Sequence, residues 1–134
     1  MGPEVYGAPE NPSAIVLRHN YSVDGIQFFS PSSFSQQLGL MSRPAGYRVA
    51  AHRHNSVERT IKVTQEVLII RSGNCQVNLY NEANTVEHTI ELSSGDVILL
   101  AHGGHEVIMK TDCEILEVKQ GPYAGEHDKS PLFP

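Results

Sequence analysis

The 134-residue sequence has only two cysteines, no tryptophan and no C-x-x-C pair. Cys75 and Cys113 stand 38 residues apart, so the chain lacks both the disulfide framework of a small secreted domain and the paired thiols of a zinc ribbon. We interpret both as free thiols in a reducing cytosol, where a small buried hydrophobic side chain is their commonest role.

Long apolar runs and basic runs are missing as well. The longest uninterrupted apolar stretch, residues 97–101, is far shorter than the roughly 20 residues that cross a bilayer. The N-terminus has no basic region followed by an apolar one, so we expect a cytoplasmic protein with no membrane partner. Basic residues are scattered in a chain of net charge −5, and nucleic acid is therefore not an expected partner.

Motifs of several enzyme classes are also absent. The sequence has no G-x-S-x-G nucleophile motif, no phosphate-cradling glycine loop and no dinucleotide-binding fingerprint.

Hydrophobic residues make up 40% and charged residues 19%, which argues against disorder. A chain of 134 residues with this composition is expected to form one domain with a real core.

What the sequence does contain is a series of short apolar stretches between turn signals, with no helical stripe. Nine stretches are predicted as strands: residues 14–18, 26–29, 36–41, 65–71, 74–80, 86–92, 96–101, 105–110 and 113–119. This spacing predicts an all-β antiparallel sandwich or barrel. Residues 1–13, with three prolines and two glycines, are predicted to be a flexible lead-in.

The remaining apolar residues suggest further contacts. Residues 121–134 end in Leu132 and Phe133, so we expect this tail to pack on the barrel or on a partner, with Tyr123 nearer the body than Asp128. Small β-domains leave strand edges to be covered, and the chain has spare apolar residues such as Phe28. A homodimer is predicted.

Two histidines, His52 and His54, stand two positions apart after a turn at residues 44–46. In a strand, side chains two apart point to the same face, with Cα atoms about 6.6 Å apart. Two such imidazoles can bind a single ion, since Zn–N bonds are about 2.0–2.1 Å long. The pattern predicts a strand that presents two metal ligands, and the plainer alternative is two polar residues on an exposed strand face.

Glu66 opens the next apolar strand, and placing Leu68 and Ile70 in the core brings its carboxylate to the same inner face. A lone buried carboxylate is costly, and a metal held by the two histidines would stabilise it. Farther along, two glycines bend the chain into His105, which shares a strand face with Val107. The predicted ligands, His52, His54, Glu66 and His105, suit Fe(II), Mn(II), Ni(II) or Zn(II).

These residues also resemble a known family. The pattern G-x5-H-x-H, then E-x6-G, over residues 46–73 resembles the first motif of the cupin superfamily, and residues 95–105 resemble the second. The ending KQGPYAGEHDK, residues 119–129, is similar to that of small single-domain cupins found beside polysaccharide and nucleotide-sugar genes. The resemblance implies an antiparallel jelly-roll (double-stranded β-helix) barrel over residues 14–120, and no settled activity.

Three departures from the family pattern leave choices open. Eleven residues separate His54 from Glu66, many more than in the usual motif, while Glu58 stands at the usual short spacing. Glu66 is preferred because only it is followed by an apolar strand and a glycine seven residues on. An alanine replaces the usual proline of the second motif, and His105 comes one residue early, which makes His102 its competitor.

Two further residues are candidate catalytic groups. Arg48 shares the predicted strand face of the histidine pair and could meet an anionic substrate, although a solvated strand end is its plainer role. Glu117 in the last strand could point inward as a proton-transfer group. Its orientation stays open, because Ile115 and Leu116 cannot both point inside.

Three functions remain open. The preferred one is a metal-dependent enzyme that acts on a small polar molecule in the barrel, such as a sugar or sugar nucleotide, by isomerisation, epimerisation or oxygenation. The second is a binding or sensing module with the same ion and no turnover. The third is a metal-free sugar isomerase in which His52 or His54 moves protons.

Overall fold

A computed structural model describes residues 2–134 and shows an all-β chain, as the sequence predicts. One turn of 3-10 helix, Gly125–His127, lies in the C-terminal tail. The strands are β1 (Glu4–Ala8), β2 (Asn11–Leu17), β3 (Gly25–Phe28), β4 (Gly39–Ser42), β5 (Glu66–Ser72), β6 (Asn74–Tyr80), β7 (Val86–Ser93), β8 (Val97–Leu100), β9 (Gly104–Met109) and β10 (Glu114–Lys119).

The strands form three antiparallel sheets. The largest has the order β1-β2-β8-β5-β10, the second has the order β7-β6-β9, and β3 pairs with β4 in a separate hairpin. The sheets do not close into a barrel within residues 2–134, because β9 and β10 each have a neighbour on one side only. β9 and β10, which end the two sheets on the same side as the candidate site, both contribute residues to it.

The core lies between the two larger sheets and follows the alternation of the sequence. Cys75, Val77 and Leu79 of β6 are all buried, which confirms the inner face predicted for that strand. β8 is buried along both faces because a core cluster packs on each face of the sheet at this strand, as its nearly continuous apolar sequence predicts. Ile98 packs in the main core cluster, while Leu99 packs in a second cluster on the other side of the sheet.

Residues 4–13 belong to the largest sheet and are not the irregular lead-in that their prolines predict. β1 and β2 form an antiparallel hairpin in which Val5 faces Ile15. The prolines are tolerated because Pro9 lies in the hairpin turn, and Pro12 lies next to a register shift in the ladder. The sheet therefore begins ten residues earlier than expected, at Glu4.

The strand predicted to carry His52 and His54 is not formed. Residues 43–65 contain no strand, and residues 41–64 are all exposed. The segment has no neighbouring strand to complete its backbone hydrogen bonds, and its apolar residues are interrupted by charged ones. We call residues 43–64 the basic arm, for reasons given below.

A buried carboxylate ties the N-terminal hairpin to the β7–β8 turn. The Asp96 side chain is 1% exposed and accepts hydrogen bonds from the backbone N–H groups of His19 (2.8 Å) and Ser93 (2.9 Å). The Arg18 guanidinium lies 3.1 Å away and also binds Glu4 of β1 at 2.7 Å. Burial raises the pKa of Asp96, but these donors outweigh burial and hold the pKa below its usual value.

Gly73 makes the tight turn between β5 and β6. Its φ of +81° lies in the left-handed region. A Cβ at this position would overlap the backbone carbonyl oxygen of Asp112 and would lie 2.9 Å from the Cα of Cys113. The chain can pass this close only because residue 73 has no side chain.

Candidate functional site

An open cavity of about 470 Å³ lies between β5, β9, β10 and the C-terminal tail. Alternation along each strand decides which residues line it, since every second side chain points inward. The apolar part of the lining consists of Leu68, Val107, Met109 and Ile115. The polar part consists of Thr64, Glu66, His105, Glu117, Lys119, Asp128 and Lys129. The cavity therefore combines an apolar surface with a concentrated set of titratable groups.

Glu66 and His105 contact each other directly in this cavity. The His105 Nε2 lies 2.9 Å from the Glu66 Oε1, and the two side chains are 35% and 14% exposed. This hydrogen bond is the main cause that lowers the pKa of Glu66 to about 2, against the opposing effect of burial. Glu66 is therefore the ionised carboxylate of the site at neutral pH. Glu58, its competitor in the sequence, lies in the exposed basic arm.

Glu117 is the second carboxyl group of the site and lies next to Glu66. The structure settles its orientation: Glu117 lines the cavity together with Ile115, whereas Leu116 points away and is 48% exposed. Its hydrogen bond with the Glu66 carboxylate is the main cause that raises its pKa above the usual value. The three side chains form a chain from His105 through Glu66 to Glu117, in which Glu117 is the group that most readily keeps a proton.

The C-terminal tail forms one wall of the cavity through Asp128 and Lys129, which the sequence did not predict. The Asp128 carboxylate accepts hydrogen bonds from Lys119 Nζ and Thr64 Oγ1, each at 3.3 Å. Tyr123 is 82% exposed, so the expectation that it lies nearer the body than Asp128 is wrong. Polar contacts, rather than aromatic burial, hold this part of the tail. The share of charged residues in the tail is close to that of the whole chain, so no local pattern pointed to this wall.

The end of the tail contacts β9 and β6. A Cβ on Gly104 would lie 2.6 Å from Leu132 Cδ1, so the leucine rests directly on the backbone there. The rings of Phe133 and Tyr80 meet edge to face, with centroids 5.8 Å apart. Residues 121–134 therefore run over the body of the same chain, next to the cavity.

His52 and His54 do not reach the cavity. Their rings are 5.3 Å apart between centroids, and both residues are exposed in the basic arm. Arg48 lies in the same exposed arm, so it is not in the cavity lining either. His102, the competitor of His105, has its Nε2 at 3.0 Å from the backbone oxygen of Asn11. Within residues 2–134 no three His, Cys, Asp or Glu side chains are arranged to hold a metal ion.

The basic arm has an unusual share of the charge. It carries five of the ten Lys and Arg residues and only one of the 15 acidic residues, a net charge of +4. The other 112 residues carry five basic and 14 acidic residues, a net charge of −9. The basic residues are therefore not scattered evenly. A charge count over windows of the sequence finds this segment, whereas a search for consecutive basic residues misses it.

The Glu66–His105 contact leads to a direct test by titration. Replacing His105 with Ala removes the main cause of the low pKa of Glu66, so the carboxyl group is expected to titrate well above the value of about 2 that it has in the intact protein. Carboxyl-carbon NMR over a pH series measures this change. The His102→Ala variant is the control and should leave Glu66 unchanged. A Glu66 titration that is identical with and without the His105 imidazole would contradict the assigned cause.

Comparisons of the chain with family models, with curated proteins and with solved structures give no match. The cupin resemblance therefore rests on the motifs in the sequence. Within residues 2–134 no helix is long and apolar enough to cross a membrane.

Proposed function

We propose that the protein binds a small polar molecule, such as a sugar or sugar nucleotide, in the Glu66–His105 cavity and moves a proton on it in an isomerisation or epimerisation. The observation that carries this proposal is the chain of His105, Glu66 and Glu117 in an open cavity. Two carboxyl groups whose surroundings move their pKa values apart are a recurring arrangement in acid–base catalysis.

The three side chains take different roles in this proposal. Glu117 exchanges the proton, because its raised pKa brings it closer to neutral pH, where proton transfer is most effective. Glu66 stays ionised and accepts hydrogen bonds from ligand hydroxyl groups. His105 donates from Nε2 to Glu66 and so holds the ionised carboxylate in place. In a keto–aldose isomerisation, the Glu117 carboxylate takes the proton from the carbon beside the carbonyl and returns it to the former carbonyl carbon. One proton passes at the same time from the hydroxyl oxygen to the carbonyl oxygen, so the product is an isomer and no electrons are gained or lost overall.

The rest of the cavity suits a molecule with one apolar and one polar face. Leu68, Val107 and Ile115 offer an apolar surface to the carbon face of a sugar ring. Lys129 lines the cavity as well and makes no ion pair among residues 2–134, so its ammonium group is free to bind an anionic substituent. A cavity with one apolar and one polar side is better suited to a carbohydrate than to a purely hydrophobic ligand.

A divalent transition metal is the candidate cofactor, and two of its four predicted ligands, Glu66 and His105, lie together in the cavity as a carboxylate and an imidazole donor. Glu66 and His105 would hold the ion, and a cation there would also offset the repulsion between the Glu66 and Glu117 carboxylates. His52 and His54 would complete the set only if the basic arm moved to the cavity. The ion would act as a Lewis acid on a carbonyl or enediolate oxygen. The jelly-roll barrel implied by the cupin resemblance is part of the same proposal, because it requires another strand beside β9.

A binding or sensing module without turnover is the second candidate, and the openness of the site favours it. His105 is one-third exposed, and Glu117 is exposed. Solvent access weakens electrostatic catalysis more than it weakens binding. The metal-free isomerase is retained within the main proposal, with Glu117 in the role first assigned to His52 or His54.

Hydrogen–deuterium exchange on a panel of keto-sugars and sugar nucleotides tests the proposal. We expect deuterium to appear from D₂O at the carbon beside the carbonyl, and Glu117→Gln to slow this at least about 100-fold. Glu114→Gln is the matched control, since Glu114 lies on the same strand and pairs with Arg71 outside the cavity. Ligand binding without any exchange would replace the enzyme with the binding module, and the absence of both would refute the proposal.

The cofactor is tested separately by X-ray fluorescence and metal analysis of untagged protein. We expect bound Fe, Mn, Ni or Zn, and its loss in the His105→Ala variant. His127→Ala is the control, because His127 lies in the tail helix and does not line the cavity. Exchange activity in a metal-free protein would establish the metal-free mechanism.

A further inference from the structure

We propose that the protein has a second ligand site, in which Arg59 and Lys62 bind the phosphate group of a small molecule. The site is an open cavity of about 830 Å³ bordered by residues of the segments 32–37 and 59–65 and by Gln120. We call it the second cavity, and the Glu66–His105 cavity the first. The proposal does not rest on the function proposed for the first cavity.

The two cavities lie on opposite faces of the same pair of segments. Glu66 and Lys119 line the first cavity, whereas their neighbours in the chain, Gln65 and Gln120, line the second. This is the arrangement expected of extended backbone, in which successive side chains point to opposite faces. The Gln120 backbone N–H donates to the Gln65 carbonyl oxygen at 2.9 Å, so the two pairs stand side by side. The second cavity is therefore separate from the first.

The charge of the second cavity is of one sign. Arg59 and Lys62 line it, and no Asp or Glu is among the lining residues. Neither cation makes an ion pair with any residue between 2 and 134. Two cations with no carboxylate between them, in a chain of net charge −5, create a local positive potential that attracts an anion.

The buried wall of the second cavity has donors without acceptors. The Gln65 side chain lines the cavity and is only 4% exposed, and its Oε1 accepts a hydrogen bond from the Gln36 backbone N–H at 3.0 Å. That bond fixes the orientation of the amide, and its Nε2 has no acceptor among residues 2–134. Ser35 lines the cavity as well, and its buried Oγ has no partner in the same part of the chain. Because buried polar groups are nearly always hydrogen-bonded, two such groups beside two cations indicate a ligand with several acceptor oxygens.

A phosphate group matches this set of donors. It accepts hydrogen bonds on three or four oxygens and carries up to two negative charges, so it can bind the Arg59 guanidinium, the Lys62 ammonium and the neutral donors together. A carboxylate, with two oxygens, would leave donors unmatched. The cavity volume lies within the range of about 300–1,000 Å³ that is usual for small-molecule sites and is far larger than a phosphate ion. Ile61 and Val63 offer an apolar wall to the organic part of a phosphate ester.

The first test measures binding by isothermal titration calorimetry with inorganic phosphate and with glycerol 3-phosphate. We expect the wild-type protein to bind, and Arg59→Gln/Lys62→Gln to weaken binding at least about 10-fold. The matched control is Arg48→Gln/Arg53→Gln, which removes the same charge from the basic arm at residues that do not line the cavity and should keep the wild-type affinity.

The outcomes of this titration separate the possible sources of the phosphate. Tighter binding of glycerol 3-phosphate assigns the site to a phosphate ester, and equal or tighter binding of inorganic phosphate assigns it to the free ion. Both results support a phosphate site. If the two double variants bind alike, or if the wild-type protein binds neither compound, the proposal is overturned.

The second test locates the bound phosphate by NMR. Addition of glycerol 3-phosphate is expected to shift the side-chain amide signals of Gln65 and Gln120. The Lys129→Gln variant should show the same shifts, because Lys129 lines the first cavity and not the second. Shifts that appear at His105 instead, and that disappear in Lys129→Gln, would place the phosphate in the first cavity. That result would overturn the second site and leave the function proposed for the first cavity standing.

Discussion

Replacing Asp96 with Ala is expected to lower the free energy of unfolding by about 3–5 kcal/mol. The substitution leaves the backbone N–H groups of His19 and Ser93 without their acceptor, in a place with no access for water. It also removes one of the two carboxylates that hold Arg18, the residue that links β1 to the β7–β8 turn. Urea unfolding followed by circular dichroism measures the loss.

A surface carboxylate supplies the control for this variant. Glu114 pairs with Arg71 at 3.1 Å, but both side chains are more than 60% exposed, so Glu114→Ala should change stability by less than about 1 kcal/mol. Equal effects of the two substitutions would show that the Asp96 network is not a main source of stability.

The Asp96 network also predicts how stability depends on pH. The pKa of Asp96 is lower in the folded chain than in the unfolded chain, so its contribution is present above the unfolded value of about 4 and is lost as the pH falls through the folded value. The stability difference between wild type and Asp96→Ala should therefore shrink in acid. A difference that stays constant below about pH 4 would contradict this assignment.

Gly73→Ala is expected to be at least as damaging, with a loss of about 3 kcal/mol or more. Part of the cost is the left-handed backbone, which an L side chain adopts at about 1–2 kcal/mol. The larger part is the overlap of the new Cβ with the Asp112 carbonyl oxygen, because a backbone atom cannot move aside as the end of a flexible side chain can. Displacing it would disturb the approach of Cys113 to β6.

Gly46→Ala separates these two costs. Gly46 has nearly the same φ, +87°, but a Cβ there would have no heavy atom within 4 Å. Only the backbone cost of about 1–2 kcal/mol is expected for it. Thermal and urea unfolding of both variants gives the comparison, and equal losses would show that the close approach at Gly73 has little energetic weight.

The strands that could be predicted from the sequence are those in which side-chain alternation and burial agree. β6 alternates between apolar and polar residues, and β8 is almost continuously apolar because each of its faces packs in a core cluster. In such cases the local pattern is sufficient to predict the strand, since the order of its apolar and polar residues shows which face is buried. The same reasoning placed Glu66 and His105 on inner faces, and the structure brings them together.

The parts that the sequence did not predict depend on distant partners. β1 contains Gly7 and is flanked by Pro3 and Pro9, which suggest a loop. The strand is nevertheless held by its pairing with β2 and by the hydrogen bond that Arg18 donates to Glu4. The arm has the alternation of a strand but no partner among residues 2–134, so alternation alone was misleading there. Asp128 was missed because a tail contact depends on where the chain folds back, which no local pattern encodes.

The order of strands in the largest sheet has a consequence for how the chain is made. β2 pairs with β8, so Ala14 finds its partner Leu100 only 86 positions later in the chain. β8 must also insert beside β5 before the N-terminal hairpin has a sheet to join. During synthesis the first two strands therefore wait until most of the polypeptide has left the ribosome. Contacts so distant in sequence make folding slow, and the apolar face of the hairpin stays uncovered until β8 has been made.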